Sequence, residues 1–196
     1  MNNKTIYLAS RSPRRAELLQ QMGLNFTVLP SDVDETSLLD ELSHHYVVRL
    51  AAEKAQACFG KLRLDGAEIY PVLAADTTVS VDGRILGKPQ DDEEAFQMLS
   101  AMSGRWHEVH TGIAVATPES VTTAISTTRV EMAKLSDAKI LAYVATGEPR
   151  DKAGAYGIQG LASTMIKRIE GSYSGVMGLP IYETAMLLEQ AGIRIL

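Results

Sequence analysis

The stretch that decides the fold reads Ile6-Tyr7-Leu8-Ala9-Ser10-Arg11-Ser12-Pro13-Arg14-Arg15. Its apolar first half is typical of a buried strand, and an apolar helical pattern follows the polar second half over residues 16–22. Ser12 is a favoured N-cap residue, and Pro13 is a favoured first helical residue. The stretch therefore predicts a strand, a tight turn and a helix, which is the usual beginning of an α/β fold.

The arginines of this turn indicate a binding site for an anion such as phosphate. A helix N-terminus already offers unpaired backbone N–H groups and a partial positive charge. Arg11, Arg14 and Arg15 would add their own charges beside them. The same residues also fit a capped helix with solvated arginines, and this stretch alone does not choose between the two interpretations.

The composition limits the class of protein. The chain has 196 residues, 45% of them hydrophobic, and a net charge of −5. This is enough chain for a sizeable core, and we expect one domain over residues 1–196. The acidic balance argues against a general nucleic-acid binder. The polar N-terminus does not resemble a signal peptide, and no apolar run approaches the ~20 residues of a membrane span, so we expect a cytoplasmic protein. The lone Cys58 is expected to be a buried filler.

Strand and helix patterns alternate along the chain. Strands are predicted over residues 5–9, 25–29, 72–80, 84–86 and 164–169, with a type I′ turn at Asp82-Gly83. Helices are predicted from residue 13, over a long segment ending near Cys58, and over residues 93–102, 136–146 and 178–190. Residues 107–117 and 121–131 form a predicted hairpin, and residues 193–195 are a candidate edge strand. These patterns predict an α/β fold with a mixed sheet, in which the hairpin extends the sheet into a second lobe and leaves a cleft.

Two charged residues interrupt apolar patterns. Asp76 lies inside the strand pattern of residues 72–80, where a carboxylate is unfavourable unless it is paired, bound to a metal or placed at a cleft. An aspartate that satisfies backbone N–H groups at a strand end is the structural alternative. Lys54 lies on the apolar stripe of the long helix, where it either snorkels to the surface or reaches a phosphate in a cleft.

Three loops carry further candidate residues. Asp32, Asp34 and Glu35 are either solvated or converge with Asp76 to hold Mg²⁺. Gly87-Lys88-Pro89 does not match a Walker A loop, but its lysine remains a candidate phosphate contact. Residues 151–160 contain three glycines and Gln159, whose amide can donate to and accept from a base edge. A plain glycine-rich loop is the alternative for this last segment.

Seven segments together carry a specific resemblance: Ser10 to Arg15, Val33-Asp34-Glu35, Glu53-Lys54-Ala55, Ala75-Asp76-Thr77, Gly87-Lys88-Pro89, Asp151 to Gly160, and Val176-Met177-Gly178-Leu179-Pro180. In this order and spacing they resemble the Maf family of nucleoside triphosphate pyrophosphatases over essentially the full chain. The resemblance implies an elongated mixed sheet flanked by helices, with a cleft between two lobes, similar to inosine triphosphate pyrophosphatases. It also implies hydrolysis of a nucleoside triphosphate to the monophosphate and pyrophosphate with Mg²⁺ or Mn²⁺.

The same resemblance implies roles for individual residues. Asp76 matches the family's proton acceptor, Glu35 and Asp76 match its metal-contacting positions, and the phosphate-contacting positions are Ser10, Arg15, Lys54 and Lys88. Arg14, Thr77 and Gln159 stand where the family selects the base, and they match the branch that hydrolyses dTTP and UTP. The branch specific for 7-methyl-GTP carries tryptophan, glutamine and glutamate at these positions. A homodimer is also expected by resemblance.

Two alternatives stay open at the level of the sequence. The family's naming history also suggests a regulatory nucleotide-binding protein involved in cell-division arrest. A phosphatase that releases single phosphates would yield orthophosphate and a diphosphate instead of pyrophosphate and a monophosphate.

Overall fold

The computed structural model describes residues 5–195, and within them seven strands form one mixed sheet. The strands are β1 (Thr5–Leu8), β2 (Asn25–Val28), β3 (Val72–Val81), β4 (Arg84–Leu86), β5 (Trp106–Ala116), β6 (Val121–Met132) and β7 (Ile166–Glu170). Their order is β2-β1-β3-β5-β6-β7, and β4 pairs with β3. β1 is parallel to β2 and β3, whereas every other pairing is antiparallel.

Six α-helices lie between or after the strands in this part of the chain. They are α1 (Pro13–Gln21), α2 (Ser43–Leu64), α3 (Asp92–Met102), α4 (Asp137–Val144), α5 (Tyr173–Met177) and α6 (Ile181–Gln190). Short 3₁₀ helices occupy Glu148–Asp151, Ala153–Ala155 and Leu161–Met165. Across residues 5–195, the structure contains no helix with the length and apolarity needed to cross a membrane.

Alternate residues of β3 face opposite layers of helices. Leu73 and Ala75 belong to a core cluster with residues of α1 and α6, whereas Val72 and Ala74 pack against residues of α2. Farther along the same strand, Val79 belongs to a separate cluster with residues of α3 and α4. The predicted architecture, a mixed sheet flanked by helices with two packed lobes, is confirmed.

Glycine brings α2 and β5 unusually close together. Gly112 of β5 lies directly under α2, and a Cβ atom there would overlap the backbone of Val47 and Val48. Gly112 is also the register partner of Asp76 in the ladder between β3 and β5. The missing side chain therefore lets the helix that carries Lys54 lie close to the strand that carries Asp76.

The first strand, turn and helix follow the prediction, and Ser12 occupies the N-cap position of α1. Its side chain makes no capping hydrogen bond within the described residues; instead, the Ser12 N–H donates to Ser10 Oγ at 3.2 Å. Asp82 and Gly83 have φ values of 51° and 76°, as a type I′ turn requires. Cys58 is buried, as predicted.

Three boundaries differ from the prediction. Helix α2 continues to Leu64 because Phe59 and Leu62 extend its buried stripe beyond Cys58. The predicted helix over residues 178–190 is wrong at its start, because Gly178 adopts a left-handed conformation with φ 108° that ends α5, and α6 begins only at Ile181.

The predicted edge strand over residues 193–195 is also wrong. The Ile193 N–H donates to the Leu188 carbonyl oxygen at 2.9 Å, and Gly192 has φ 80°. This arrangement closes the end of α6. The Ile193 side chain packs into the core beside that helix, so its apolar character reflects burial.

Candidate active site

A cleft of about 920 Å³ opens beside the middle of β3. Its walls come from the turn of residues 10–15, the loop around Glu35, the Gly87-Lys88 segment, residues 148–160 and the end of α5. All nine residues predicted from the sequence as catalytic, substrate-binding or metal-binding line the cleft: Ser10, Arg14, Arg15, Glu35, Lys54, Asp76, Thr77, Lys88 and Gln159.

Lys54 connects the two carboxylates that were predicted to bind a metal. Its Nζ lies 2.7 Å from Asp76 Oδ1 and 2.6 Å from Glu35 Oε1. The side chains of Lys54 and Asp76 are only 11% and 12% exposed, whereas Glu35 is about half exposed at the cleft. Lys54 therefore does not simply snorkel to the surface, and the two carboxylates converge on one cation.

Burial and charge affect the two carboxyl groups differently. Burial raises the pKa of Asp76, although the neighbouring charges of Lys54 and Arg15 oppose that increase. Partial burial also acts to raise the pKa of Glu35, but the hydrogen bond and charge of Lys54, with the charges of Lys88 and Arg15, outweigh it and lower that pKa. The buried carboxyl is therefore the better proton acceptor of the two.

Arg15 donates hydrogen bonds to three separate segments of the chain. Its Nη1 donates to Ser10 Oγ at 3.1 Å, its Nη2 to Thr77 Oγ1 at 3.1 Å, and its Nε to the Gly178 carbonyl oxygen at 2.8 Å. Burial lowers the pKa of Arg15, while Asp76 opposes the decrease. Arg15 thus brings a partly buried positive charge to the cleft while each of its three nitrogens donates to another group of the protein.

The remaining residues of the predicted acidic group do not join Asp76. Asp32 forms a bidentate pair with Arg11 at the exposed rim, with distances of 2.8 and 3.2 Å. Asp34 Oδ1 accepts from the Thr36 N–H at 2.9 Å. Only Glu35 of this group reaches Lys54, so in residues 5–195 there is no cluster of three or more histidine, cysteine, aspartate or glutamate side chains arranged to hold a metal.

Two other predicted cations line the cleft with different surroundings. Lys88 is exposed and forms no ion pair with any residue of the described chain, so its ammonium is available to a ligand. Arg14 is half-buried in the cleft lining, where its charge acts on Arg15 and Asp151. The cleft therefore combines several cations with the buried carboxylate of Asp76.

Gln159 stands on an exposed loop that Glu148 holds in place. The Glu148 carboxylate accepts from the Leu161 N–H at 2.9 Å, the Ala162 N–H at 3.4 Å and the Tyr143 hydroxyl at 2.9 Å. A Cβ atom on Gly160 would overlap this carboxylate. The Gln159 side chain makes no hydrogen bond with any other described residue, so its amide is free to meet a ligand.

Sequence reasoning missed two residues that fix the loop carrying Glu35. The Tyr46 hydroxyl donates to the Glu35 carbonyl oxygen at 2.8 Å. Arg49 pairs with Glu41 through two contacts of 2.7 Å and donates to the Thr36 carbonyl oxygen at 3.2 Å. Tyr46 precedes Lys54 by two helical turns on the same face of α2, and this spacing is the signal that could have identified it.

A further buried pair supports the cleft wall from behind. His107 Nε2 lies 2.8 Å from the Tyr156 hydroxyl, and Tyr156 lines the cleft. Burial lowers the pKa of His107 to about 4, so its ring is neutral near pH 7. The pair anchors residues 151–160 to β5 without a charge.

Known proteins resemble this chain in sequence and in fold. The family model described as Maf-like protein matches residues 5–191. A dTTP/UTP pyrophosphatase of Methylobacillus flagellatus is 64% identical over 100% of this chain and 96% of its own length. A dTTP/UTP pyrophosphatase of Nitrosomonas europaea is 49% identical over 97% of this chain and 96% of its own length. The crystal structure of protein VC0702 from Vibrio cholerae has a TM-score of 0.50 and 11% identity, covering 97% of this chain and 98% of that one, so it shares the fold.

Proposed function

This chain belongs to the Maf-like protein family, and on that premise we propose that it hydrolyses dTTP and UTP to the corresponding monophosphate and pyrophosphate. It is thus a nucleoside triphosphate pyrophosphatase, a hydrolase of acid anhydrides, which would limit incorporation of non-standard nucleotides. The observation that carries the proposal is the contact of Lys54 with Asp76 and Glu35 in a cleft lined by further cations. This arrangement suits a polyanion that must be attacked by water.

The reaction requires an activated water and neutralised phosphates. Water attacks the α-phosphorus, a new P–O bond forms, the bond to the bridging oxygen breaks, and its electron pair leaves with pyrophosphate. Asp76 accepts the proton of the water. Its Oδ1 is engaged by Lys54, so Oδ2 is the atom available for that proton. The raised pKa of Asp76 favours proton acceptance, as general base catalysis near neutral pH requires.

The phosphates are held by cations and donors of the cleft walls. Lys88 is the exposed ammonium and approaches the triphosphate directly, while Arg15 supplies a partly buried positive charge beside Ser10. Lys54 exchanges part of its contact with the carboxylates for a phosphate oxygen when nucleotide enters. These charges offset the charge that develops on the leaving pyrophosphate.

Glu35 and Asp76 fit a divalent cation because their carboxylates already converge on one positive charge. Mg²⁺ is often held by only one or two carboxylates, with substrate phosphates completing its ligands, and Mn²⁺ accepts the same oxygen donors. When bound, such an ion would supply charge neutralisation and lower the pKa of the attacking water. Glu35 would orient it from the loop held by Tyr46 and Arg49.

Base selection is assigned to Arg14, Thr77 and Gln159. The free amide of Gln159 can donate to and accept from a pyrimidine edge, and the Thr77 hydroxyl lines the same cleft. Arg14 supports selectivity from the first helix. The protein is proposed to act as a cytoplasmic homodimer. A purely regulatory nucleotide-binding role is not favoured, because it would not require a buried carboxylate beside a lysine in the cleft.

Identification of products tests the function directly. The purified protein is incubated with Mg²⁺ or Mn²⁺ and dTTP, UTP, CTP, ATP, GTP or 7-methyl-GTP, and the products are separated by chromatography. Pyrophosphate and monophosphate released chiefly from dTTP and UTP are the expected result. Orthophosphate and diphosphate would instead identify a phosphatase, and absence of hydrolysis with retained binding would support the regulatory alternative.

A further inference from the structure

A row of hydrogen bonds runs from the cleft wall into the core of the protein. Arg15 Nη2 lies 3.1 Å from Thr77 Oγ1, which lies 2.9 Å from Thr111 Oγ1. Thr111 Oγ1 in turn lies 2.8 Å from the Gly175 carbonyl oxygen. Thr111 is fully buried, whereas Thr77 is half-buried and lines the cleft. Thr77 is therefore the hydroxyl of this row that a ligand can reach.

The chemistry of the four groups fixes the direction of every proton. A carbonyl oxygen only accepts, so the single hydroxyl proton of Thr111 must lie between Thr111 and Gly175. Without that proton, two oxygens would face each other at 2.8 Å and repel. Thr77 must then donate its own proton to Thr111, and it accepts from Arg15, which can only donate. All three hydrogen bonds are donated in the same direction, from Arg15 towards the Gly175 carbonyl oxygen, so each bond polarises and strengthens the next.

We propose that Thr111 makes Thr77 an acceptor-only group towards the nucleotide, and so makes Thr111 a positioning residue for uracil and thymine over cytosine. One lone pair of Thr77 Oγ1 remains after its bonds to Arg15 and Thr111 are counted. Uracil and thymine present an N3–H donor at the edge where cytosine presents a bare N3 acceptor. An acceptor-only hydroxyl pairs with the first two bases and opposes the third. This inference rests on the proposed function, in which Thr77 faces the base.

The Thr111→Val variant separates this role from simple packing. Valine keeps the shape of the side chain but removes the hydroxyl that receives the Thr77 proton. Thr77 can then rotate its proton towards N3 of cytosine. We expect kcat/KM for CTP to rise while that for UTP changes little, so that the preference for UTP over CTP falls about tenfold, the order of one neutral hydrogen bond. A purely structural role would lower both values together.

Two control variants accompany this measurement. Thr111→Ser keeps the hydroxyl and should retain the preference for UTP. Thr184 of α6 is also fully buried, and its hydroxyl has no partner among residues 5–195, so Thr184→Val should leave the preference unchanged. Binding of non-hydrolysable α,β-imido analogues of UTP and CTP, measured by calorimetry, gives the same ratio where turnover is too low to follow.

The outcomes distinguish this inference from the proposed function. A wild-type protein that releases no pyrophosphate from UTP contradicts the proposed function, while its analogue-binding ratio still tests the role of Thr111. An unchanged ratio in Thr111→Val, or an equal loss for both nucleotides, overturns the inference alone. Equal use of UTP and CTP by the wild type overturns the inference together with the base selection in the proposed function. If Thr111→Val does not fold, Thr77→Val serves instead and should remove the discrimination between the two bases.

Discussion

Asp76 and Gly112 are register partners in the antiparallel ladder between β3 and β5. Because Gly112 has no side chain, the backbone of α2 at Val47 lies directly over it. Two helical turns farther on, the same helix delivers Lys54 to within 2.7 Å of Asp76. The position of Lys54 relative to Asp76 thus depends on the absence of a Cβ atom at Gly112 of the neighbouring strand.

Gly112→Ala is expected to destabilise the protein and to impair turnover. The new Cβ would force α2 away from the sheet, and overpacking of this kind costs about 1–3 kcal/mol. Denaturant unfolding and kcat measure the two effects. Gly60→Ala is the matched control, since Gly60 lies in the same helix with no atom near its added Cβ. This control should gain about 0.5–1 kcal/mol of stability and keep its activity. Equal stabilities of the two variants would contradict the close approach.

Asp76→Asn should retain nucleotide binding and lose turnover. Asparagine cannot accept the proton of the attacking water, and a general base contributes roughly 10²–10⁴-fold to rate. Single-turnover kinetics and calorimetric titration with dTTP separate the two effects. Asp82→Asn, which removes only the exposed partner of Arg105, should behave like the wild type. Turnover of Asp76→Asn close to that of the wild type would remove this residue from the role of base.

The pH dependence of kcat should follow the same carboxyl group. Asp76 acts only when ionised, and its pKa is raised by burial. Activity should therefore decrease as the pH falls through that raised pKa, at a higher pH than for an ordinary aspartate. The acidic limb should be missing from the residual activity of Asp76→Asn. An identical acidic limb in that variant would assign it to another group.

His107 predicts a loss of stability on acidification. Its pKa is lowered from 6.5 to about 4 by burial, so the folded state resists protonation. The resulting stabilisation is present above pH 6.5 and disappears as the pH falls towards 4, by roughly 3 kcal/mol in total. His107→Gln should reduce this pH dependence, whereas the exposed His45→Gln should preserve it. Chemical denaturation at pH 7.5 and pH 4.5 gives the free energy of unfolding of each variant. If this free energy changes by the same amount between the two pH values in both variants, His107 is excluded as the cause.

Glu148→Ala is expected to weaken base selection more than it weakens hydrolysis itself. Loss of its hydrogen bonds to Leu161 and Ala162 frees the loop that carries Gln159. The ratio of kcat/KM for dTTP over GTP should fall by about tenfold or more. Glu170→Ala removes a carboxylate paired with Arg129 and Arg168 outside the cleft and should leave the ratio unchanged.

A double variant of Gly160 and Glu148 tests whether the Glu148 carboxylate contacts the loop at Gly160. Gly160→Ala places a Cβ atom against the Glu148 carboxylate and should be destabilising in the wild-type background. The same substitution should cost less once Glu148 is alanine, because the overlapping group is gone. Additive losses of stability from the two substitutions would show that they do not interact.

Charged site residues that interrupt an apolar pattern could be predicted from the sequence. Asp76 and Lys54 are charged residues within apolar stripes, and they lie together in the cleft. The turn of residues 10–15 and the long hairpin also follow local rules of capping and strand alternation. Their positions could be predicted because burial and backbone geometry constrain each of them locally.

Other features depend on contacts that no local pattern contains. Asp32 and Glu35 are close neighbours on one loop, yet the first pairs with Arg11 and the second with Lys54. Thr111 resembles any threonine in a strand, and its role appears only with the Gly175 carbonyl oxygen 64 residues away. Residues 193–195 were misassigned because an apolar pattern records burial but not which backbone groups are paired.

The three anchors of Arg15 have a consequence for partly synthesised chains. Ser10, Thr77 and Gly178 lie far apart along the sequence, and the guanidinium joins them only when all three are present. A nascent chain that has emerged only as far as the β5–β6 hairpin already contains Asp76 and Lys54 but lacks the last anchor. Nucleotide turnover would then begin only after Gly178 has left the ribosome and docked. The enzyme's own activity would thereby report that almost the whole polypeptide has folded.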